Sequence, residues 1–182
     1  DRVVMQLATR LKCETAFKTI AAIDEQKITA PIFVTGLPRS GTSALLNLLV
    51  AAPENRGLLQ WEVQFPDPWP GCEPGQEDPR YPYLVKALEE TRNSDFAKIH
   101  FVDADTPEEC VLLHAYAFTG VQLGFEIMLE PYRSWILQQD LRPMYAYQKQ
   151  QMQMLNWRNP GEQWMLKAPA HMWGIDAILE VF

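Results

Sequence analysis

Residues 32–50 constrain the chain more than any other stretch. Ile32-Phe33-Val34 is a short, partly β-branched apolar run of the kind that forms a buried strand. Gly36, Pro38 and Gly41 then break the pattern, and from Ser43 to Ala51 the sequence resumes as an apolar helix that Pro53 ends. A strand, a glycine-bounded loop and a helix N-terminus together bind phosphate-like anions. The first-turn N–H groups lack intrahelical partners and the helix dipole favours negative charge beside them. Thr42 and Ser43 add hydroxyl donors, and Arg39 adds a planar fork suited to a tetrahedral oxyanion.

The spacing discriminates further. In the nucleoside-triphosphate loop G-x-x-x-x-G-K-[ST], the Lys reaches the β- and γ-phosphates. Here Gly36 and Gly41 hold the glycine positions and Ser43 the last one, but Thr42 stands where the Lys belongs. That substitution argues against an ATPase or GTPase and for a nucleotide whose anionic group lies elsewhere. Pro38-Arg39-Ser40-Gly41-Thr42-Ser43 resembles the 5′-phosphosulfate loop of sulfotransferases that use 3′-phosphoadenosine 5′-phosphosulfate, PAPS. The resemblance implies that Gly36, Pro38, Arg39, Ser40, Gly41, Thr42 and Ser43 contact this donor. The alternative is a Gly/Pro turn that only joins strand to helix.

Charge and composition narrow the partners. The net charge of −7 and the lack of a basic stripe argue against nucleic acid. Cys13, Cys72 and Cys110 are odd in number and far apart, which fits free thiols in a reducing, cytoplasmic setting. No apolar run approaches the roughly 20 residues of a membrane span. The chain opens on Asp1, already within a helical pattern, and stops at Phe182 in mid-pattern. It reads as a fragment without the segment that holds the 3′-phosphate in the family it resembles.

Apolar spacing at Val4, Leu7, Leu11 and Phe17 predicts a helix over residues 1–23, packed outside the sheet. The helix after Ser43 is apolar nearly all round and is expected to be buried. The proline-dense residues 54–83, with Trp61, Phe65 and Trp69, read as an ordered irregular loop, either lining an acceptor pocket or crossing the surface. A helix follows over residues 82–91. Thr106-Pro107-Glu108-Glu109 reads as a helix start with a capping box closed by Glu109. A helix from about Leu141 places Tyr145, Met152 and Leu155 on one face, and Trp164–Lys167 reads as a second strand that leads into a last helix. The expected architecture is a single α/β domain over residues 1–182 with a central parallel sheet. The resemblance makes this a P-loop NTPase-like three-layer fold, helix-rich and incomplete at the C-terminus.

Three further residues are candidates for chemistry. Apolar neighbours Trp61, Val63 and Phe65 would raise the pKa of Glu62 toward the range of a general base; a surface Glu in a loop is the alternative. Gln60-Trp61-Glu62 resembles the position of the catalytic Glu in Golgi-type and heparan-modifying sulfotransferases, and this implies the base role. Lys167 ends a strand, where open α/β sheets bind ligands. Leu166-Lys167-Ala168-Pro169-Ala170-His171 resembles the L-K-[SA]-P-x-H segment of a bacterial sulfotransferase group. In the related K-x-H element of cytosolic sulfotransferases, Lys assists the leaving group and His is the base. The wider spacing here leaves His171 open between base and a capping or positioning role. His100, Asp103, Asp105, Glu108, Glu109, Cys110 and His114 lack a recognised metal-ligand spacing, so no metal is expected; His100 and Asp105 could instead line the acceptor side.

The resemblance implies a PAPS-dependent sulfotransferase acting on a small-molecule, lipid or glycan hydroxyl without a metal. A P-loop-type kinase and a non-catalytic nucleotide-binding module are the alternatives. Apolar residues around 58–70 and 128–157 suit either an apolar acceptor or a core.

Overall fold

The computed structural model describes residues 2–91, 103–121 and 129–182; His100 lies outside them. Three parallel strands, β1 (Ile32–Val34), β2 (Asn55–Gly57) and β3 (Gln163–Lys167), form a sheet in the order β1-β3-β2. The last strand in sequence is thus the middle one in space. β2 is a correction to the expectation of an irregular stretch from residue 54. Its polar Asn55-Arg56-Gly57 carries no strand pattern, and pairing with β3 makes it one.

Among the described residues the helices are α1 (Arg2–Thr19), α2 (Thr42–Val50), α3 (Gln60–Gln64), α4 (Arg80–Thr91), α5 (Val111–Ala115), α6 (Glu130–Ile136), α7 (Arg142–Arg158) and α8 (Ile175–Val181). Strand side chains alternate between faces. Trp164 and Leu166 pack into the main core with Met152 and Leu155 of α7, whereas Lys167 reaches α2 at Ser43. The sheet therefore lies between α7 and α2 in three layers.

Three local expectations change. α1 forms, but it buries Cys13 and Ala16 against Ile23 and Met154. Val4, Leu7 and Leu11 remain 61%, 47% and 69% exposed. Small residues let the helix approach α7 closely, so they face inward together with Phe17, which packs on the same cluster and edge-on to Tyr147 at 6.0 Å. α2 buries only Leu46, and Leu48 is 72% exposed. Among the described residues its neighbour β1 is a sheet edge, so α2 has little to pack against on that side.

The third change concerns Thr106–Glu109. Leu59 bridges antiparallel to Pro107, and the Glu108 N–H donates to the Leu58 carbonyl at 2.7 Å. That pairing holds the segment extended. The helix waits until Val111, with Cys110 as its N-cap and no capping box, so the Glu109 side chain is released for another partner.

The proline-rich loop is ordered around Arg80, which is 1% exposed. Its guanidinium donates to the Phe65, Pro66 and Asp67 carbonyls, pairs with Asp78 at 2.7 Å and lies over the Trp61 ring at 4.8 Å.

Candidate active site

The β1–α2 loop meets the end of β3 at the carboxyl edge of the sheet. Thr35 Oγ1 donates to the Ala168 carbonyl at 3.1 Å, and Ala168 N–H donates to the Val34 carbonyl. These bonds fix the loop's origin to β3. Ser40 turns back on Leu37 through both its N–H and its hydroxyl. Gly41 then caps α2 with φ 87°, a left-handed conformation that Gly adopts without steric cost. Arg39 is left-handed too, at φ 66°; a non-Gly residue held there is strained, and such strain clusters at functional sites. Residues 37–41 are exposed, leaving the α2 N-terminus open to a ligand. A Cβ at Gly36 would come within 3.2 Å of Ser40 Oγ and 3.3 Å of Thr42 Cγ2, so the cradle is closed tightly from below. Open N–H donors, a hydroxyl and nearby cations fit a phosphosulfate.

Lys167 is buried at the base of this loop. Its Nζ donates to Ser43 Oγ at 3.1 Å and pairs with the Glu109 carboxylate. The structure thus joins Lys167 and Ser43, both expected site residues, and adds Glu109. The local sequence pattern predicts a capping box for Glu109; the pairing at Leu59 and Pro107 frees it.

Glu62 lies elsewhere. It is 1% exposed, its Oε1 accepts from Arg56 Nη2 at 2.6 Å, and its Oε2 accepts from the Leu59 N–H at 3.2 Å. Arg56 pairs in register with Trp164 and lies over that ring at 3.9 Å. Trp164 and Lys167 point to opposite faces of β3, so the Arg56–Glu62 pair occupies the α7 face while Lys167 occupies the α2 face. Burial lowers the Arg56 pKa and the Glu62 charge opposes that shift.

His171 also lies on the α7 face. It is fully buried, edge-on to Phe33 at 4.9 Å, with Nδ1 3.0 Å from the Tyr145 hydroxyl and no partner for Nε2. The structure does not bring it to Lys167. His114 is buried beside it, with Nε2 2.7 Å from Gln148 Oε1. Burial pushes His114 down to about 4 and His171 well below its ordinary value, with nearby His114 a second cause for His171. Both are neutral in the fold at neutral pH, and the unfolded chain binds their protons more readily. Stability is therefore full above about pH 6.5 and falls toward pH 4. His114 alone accounts for roughly 3 kcal/mol of this loss. Thermal unfolding followed between pH 7 and pH 4 checks the prediction; a flat Tm across that window contradicts it.

The remaining candidates are quieter. All three cysteines are free and buried. Burial raises Cys13 and Cys110 to about 12, which leaves both thiols unreactive. Asp105 accepts from the Tyr81 hydroxyl at 3.0 Å on the surface. Among the described residues, no three His, Cys, Asp or Glu side chains converge as a metal site, and no helix is long and apolar enough to cross a membrane.

Residues 31–182 match the sulfotransferase family. Two solved structures resemble the chain. One is the sulfotransferase STF1 from Mycobacterium tuberculosis H37Rv, at 27% identity and TM-score 0.78, covering 97% of this chain and 49% of that one. The other is the sulfotransferase STF9 from Mycobacterium avium, at 28% identity and TM-score 0.84, covering 97% of this chain and 46% of that one. The chain spans about half the length of each. No curated protein matches it.

Proposed function

This chain belongs to the sulfotransferase family, and from that membership and the geometry of its loop we propose that it moves a sulfuryl group from PAPS to an acceptor hydroxyl. The observation that carries the reading is Lys167, whose Nζ sits between the Ser43 hydroxyl of the loop and the Glu109 carboxylate. Gly36 and Pro38 shape the cradle. Arg39, Ser40, Gly41, Thr42 and Ser43 offer guanidinium, hydroxyl and N–H donors to the 5′-phosphosulfate. The acceptor oxygen attacks sulfur, and the bond from sulfur to the bridging phosphate oxygen breaks. Lys167 and the α2 N-terminus stabilise the charge left on that oxygen. The acceptor proton passes to a carboxylate, and 3′-phosphoadenosine 5′-phosphate leaves. The family resemblance supports Glu62 as that carboxylate, and its position beside Lys167 supports Glu109. Both carboxylates are ion-paired, Glu109 with Lys167 and Glu62 with Arg56, but the Glu109 side chain is 29% exposed and the Glu62 side chain 1%. His171 acts by positioning, as its burial favours. The acceptor is a small-molecule, lipid or glycan hydroxyl. The donor site uses no metal, and the three free thiols support a cytoplasmic setting.

Calorimetric titration with 3′-phosphoadenosine 5′-phosphate, beside Mg²⁺–ATP, tests the reading. Metal-independent binding of the first and none of the second is expected. The reverse result would make the protein a kinase, and donor binding without turnover on any hydroxyl would make it a binding module.

A further inference from the structure

Sheet pairing ends at Lys167, the last residue of β3. Resting on the sulfotransfer reading, we propose that Tyr145 and Gln148 of α7 are positioning residues: acting through His171 and His114, they hold the backbone at Lys167 and Ala168 and so aim the lysine amine at the donor. Two chains of hydrogen bonds carry this inference. The first runs through the 3₁₀ turn Pro169–Trp173. The Tyr145 hydroxyl lies 3.0 Å from His171 Nδ1, and the His171 N–H donates to the Ala168 carbonyl at 3.2 Å. That same carbonyl accepts from Thr35 Oγ1 of the β1–α2 loop. The second chain runs through α5. Gln148 Oε1 lies 2.7 Å from His114 Nε2, the His114 N–H donates to the Cys110 carbonyl at 3.2 Å, and the Cys110 N–H donates to the Lys167 carbonyl at 3.0 Å. Cys110 also follows Glu109, the partner of the Lys167 amine, so this chain holds both members of that pair.

Tyr145 and Gln148 are three residues apart and share one face of α7, so both chains end on a single helical turn. The imidazoles meet edge-on with centroids 5.7 Å apart, and the Tyr145 ring lies against both, at 5.4 Å from His114 and 5.7 Å from His171. A Cβ at Gly174 would come within 2.6 Å of Tyr145 Cε2, so the backbone after His171 closes on the same ring. Packing alone does not call for these polar ends. All four side chains are at most 2% exposed. A buried hydroxyl or amide offers no stability over an apolar group of the same shape unless its hydrogen bond is made. What the polar ends add is direction, because apolar burial is non-directional and a satisfied buried network is rigid. Direction matters at Lys167, since misplacing a reacting group by about 1 Å costs up to 10²-fold.

The test is a double-mutant cycle in the full chain, read by calorimetric titration with 3′-phosphoadenosine 5′-phosphate well below the Tm of every variant. Tyr145→Phe keeps the ring and removes only the hydroxyl; Gln148→Met keeps the length and removes the amide. Each is expected to weaken nucleotide binding about three- to tenfold. In a Lys167→Met background, Tyr145→Phe is expected to cost nothing further, because the group it aims is gone. Tyr147→Phe removes a buried hydroxyl that has no partner and is expected to bind as wild type does. The proposal is overturned if Tyr145→Phe or Gln148→Met binds as tightly as wild type, if Tyr147→Phe weakens binding as much as they do, or if Tyr145→Phe loses the same factor beside Lys167→Met, the result that a general loosening of the fold gives. Amide exchange decides the matter where wild type or Lys167→Met binds no nucleotide. Tyr145→Phe is expected to speed exchange at His171 and Ala168 and to leave Met165, within β3, unchanged; equal effects on all three, or none, overturn the proposal. Absence of nucleotide binding in wild type overturns the sulfotransfer reading, whatever the exchange shows.

Discussion

Lys167→Met is expected to lower turnover about 10²–10³-fold, the loss typical of removing one donor from a developing oxyanion, with little change in Tm. Methionine keeps the length and apolar character of the stem and removes only the charged end. The side chain is 4% exposed, and its Nζ bonds Ser43 Oγ at 3.1 Å. In the proposed reaction, the amine stabilises the charge that develops when the phosphate oxygen departs. Its other partner, Glu109, has a side chain 29% exposed, so water can solvate that carboxylate once the lysine is gone. The stability change should stay within about 1 kcal/mol. Steady-state kinetics beside thermal unfolding separate the two effects. Wild-type turnover in Lys167→Met would remove the lysine from the chemistry. Glu109→Gln makes a companion: a loss in kcat as large as that of Lys167→Met, with donor affinity kept, assigns the proton to Glu109.

The second large effect is on stability. Arg56→Ala is expected to cost about 3–5 kcal/mol, because removing one member of a buried ion pair leaves the other charge uncompensated. At this chain length that lowers Tm by roughly 6–20 °C. Glu62 is 1% exposed and water cannot take the place of the guanidinium. The arginine also donates through Nε to the Asn159 carbonyl at 2.9 Å and covers the Trp164 ring, so its loss loosens the entry to β3. Glu62→Gln then separates the two roles proposed for that residue. A base would lose turnover in that variant at temperatures well below its Tm. A purely structural partner of Arg56 would lower Tm and keep turnover. A Tm for Arg56→Ala equal to wild type would show that the pair does not hold the fold.

Much of the fold was legible because some of its determinants are local. Ile32–Val34 and Trp164–Lys167 are short apolar runs bounded by turn residues, and both are parallel strands. Leu141, Tyr145, Met152 and Leu155 share one helical face, and α7 puts Tyr145, Met152 and Leu155 in cores of the protein. Gly36, Gly41 and Ser43 revealed the loop because a tight strand-to-helix turn needs those residue types at that spacing. β2 was not legible. Asn55-Arg56-Gly57 has no strand propensity of its own and is held by the neighbouring β3.

By itself, the sequence determined where helices and strands are favoured, and that a glycine-bounded loop joins the first strand to a helix. The tertiary structure decided which side chains meet at that loop. A strand turns successive residues to opposite faces, so the register of β2 on β3 put Arg56 and Glu62 on one side of the sheet and Lys167 on the other. In the same way, the pairing of Leu59 with Pro107 overrode a strong local helix signal and left Glu109 to meet Lys167. Both outcomes depend on pairing between residues distant in sequence, and periodicity within one segment carries no information about its partner.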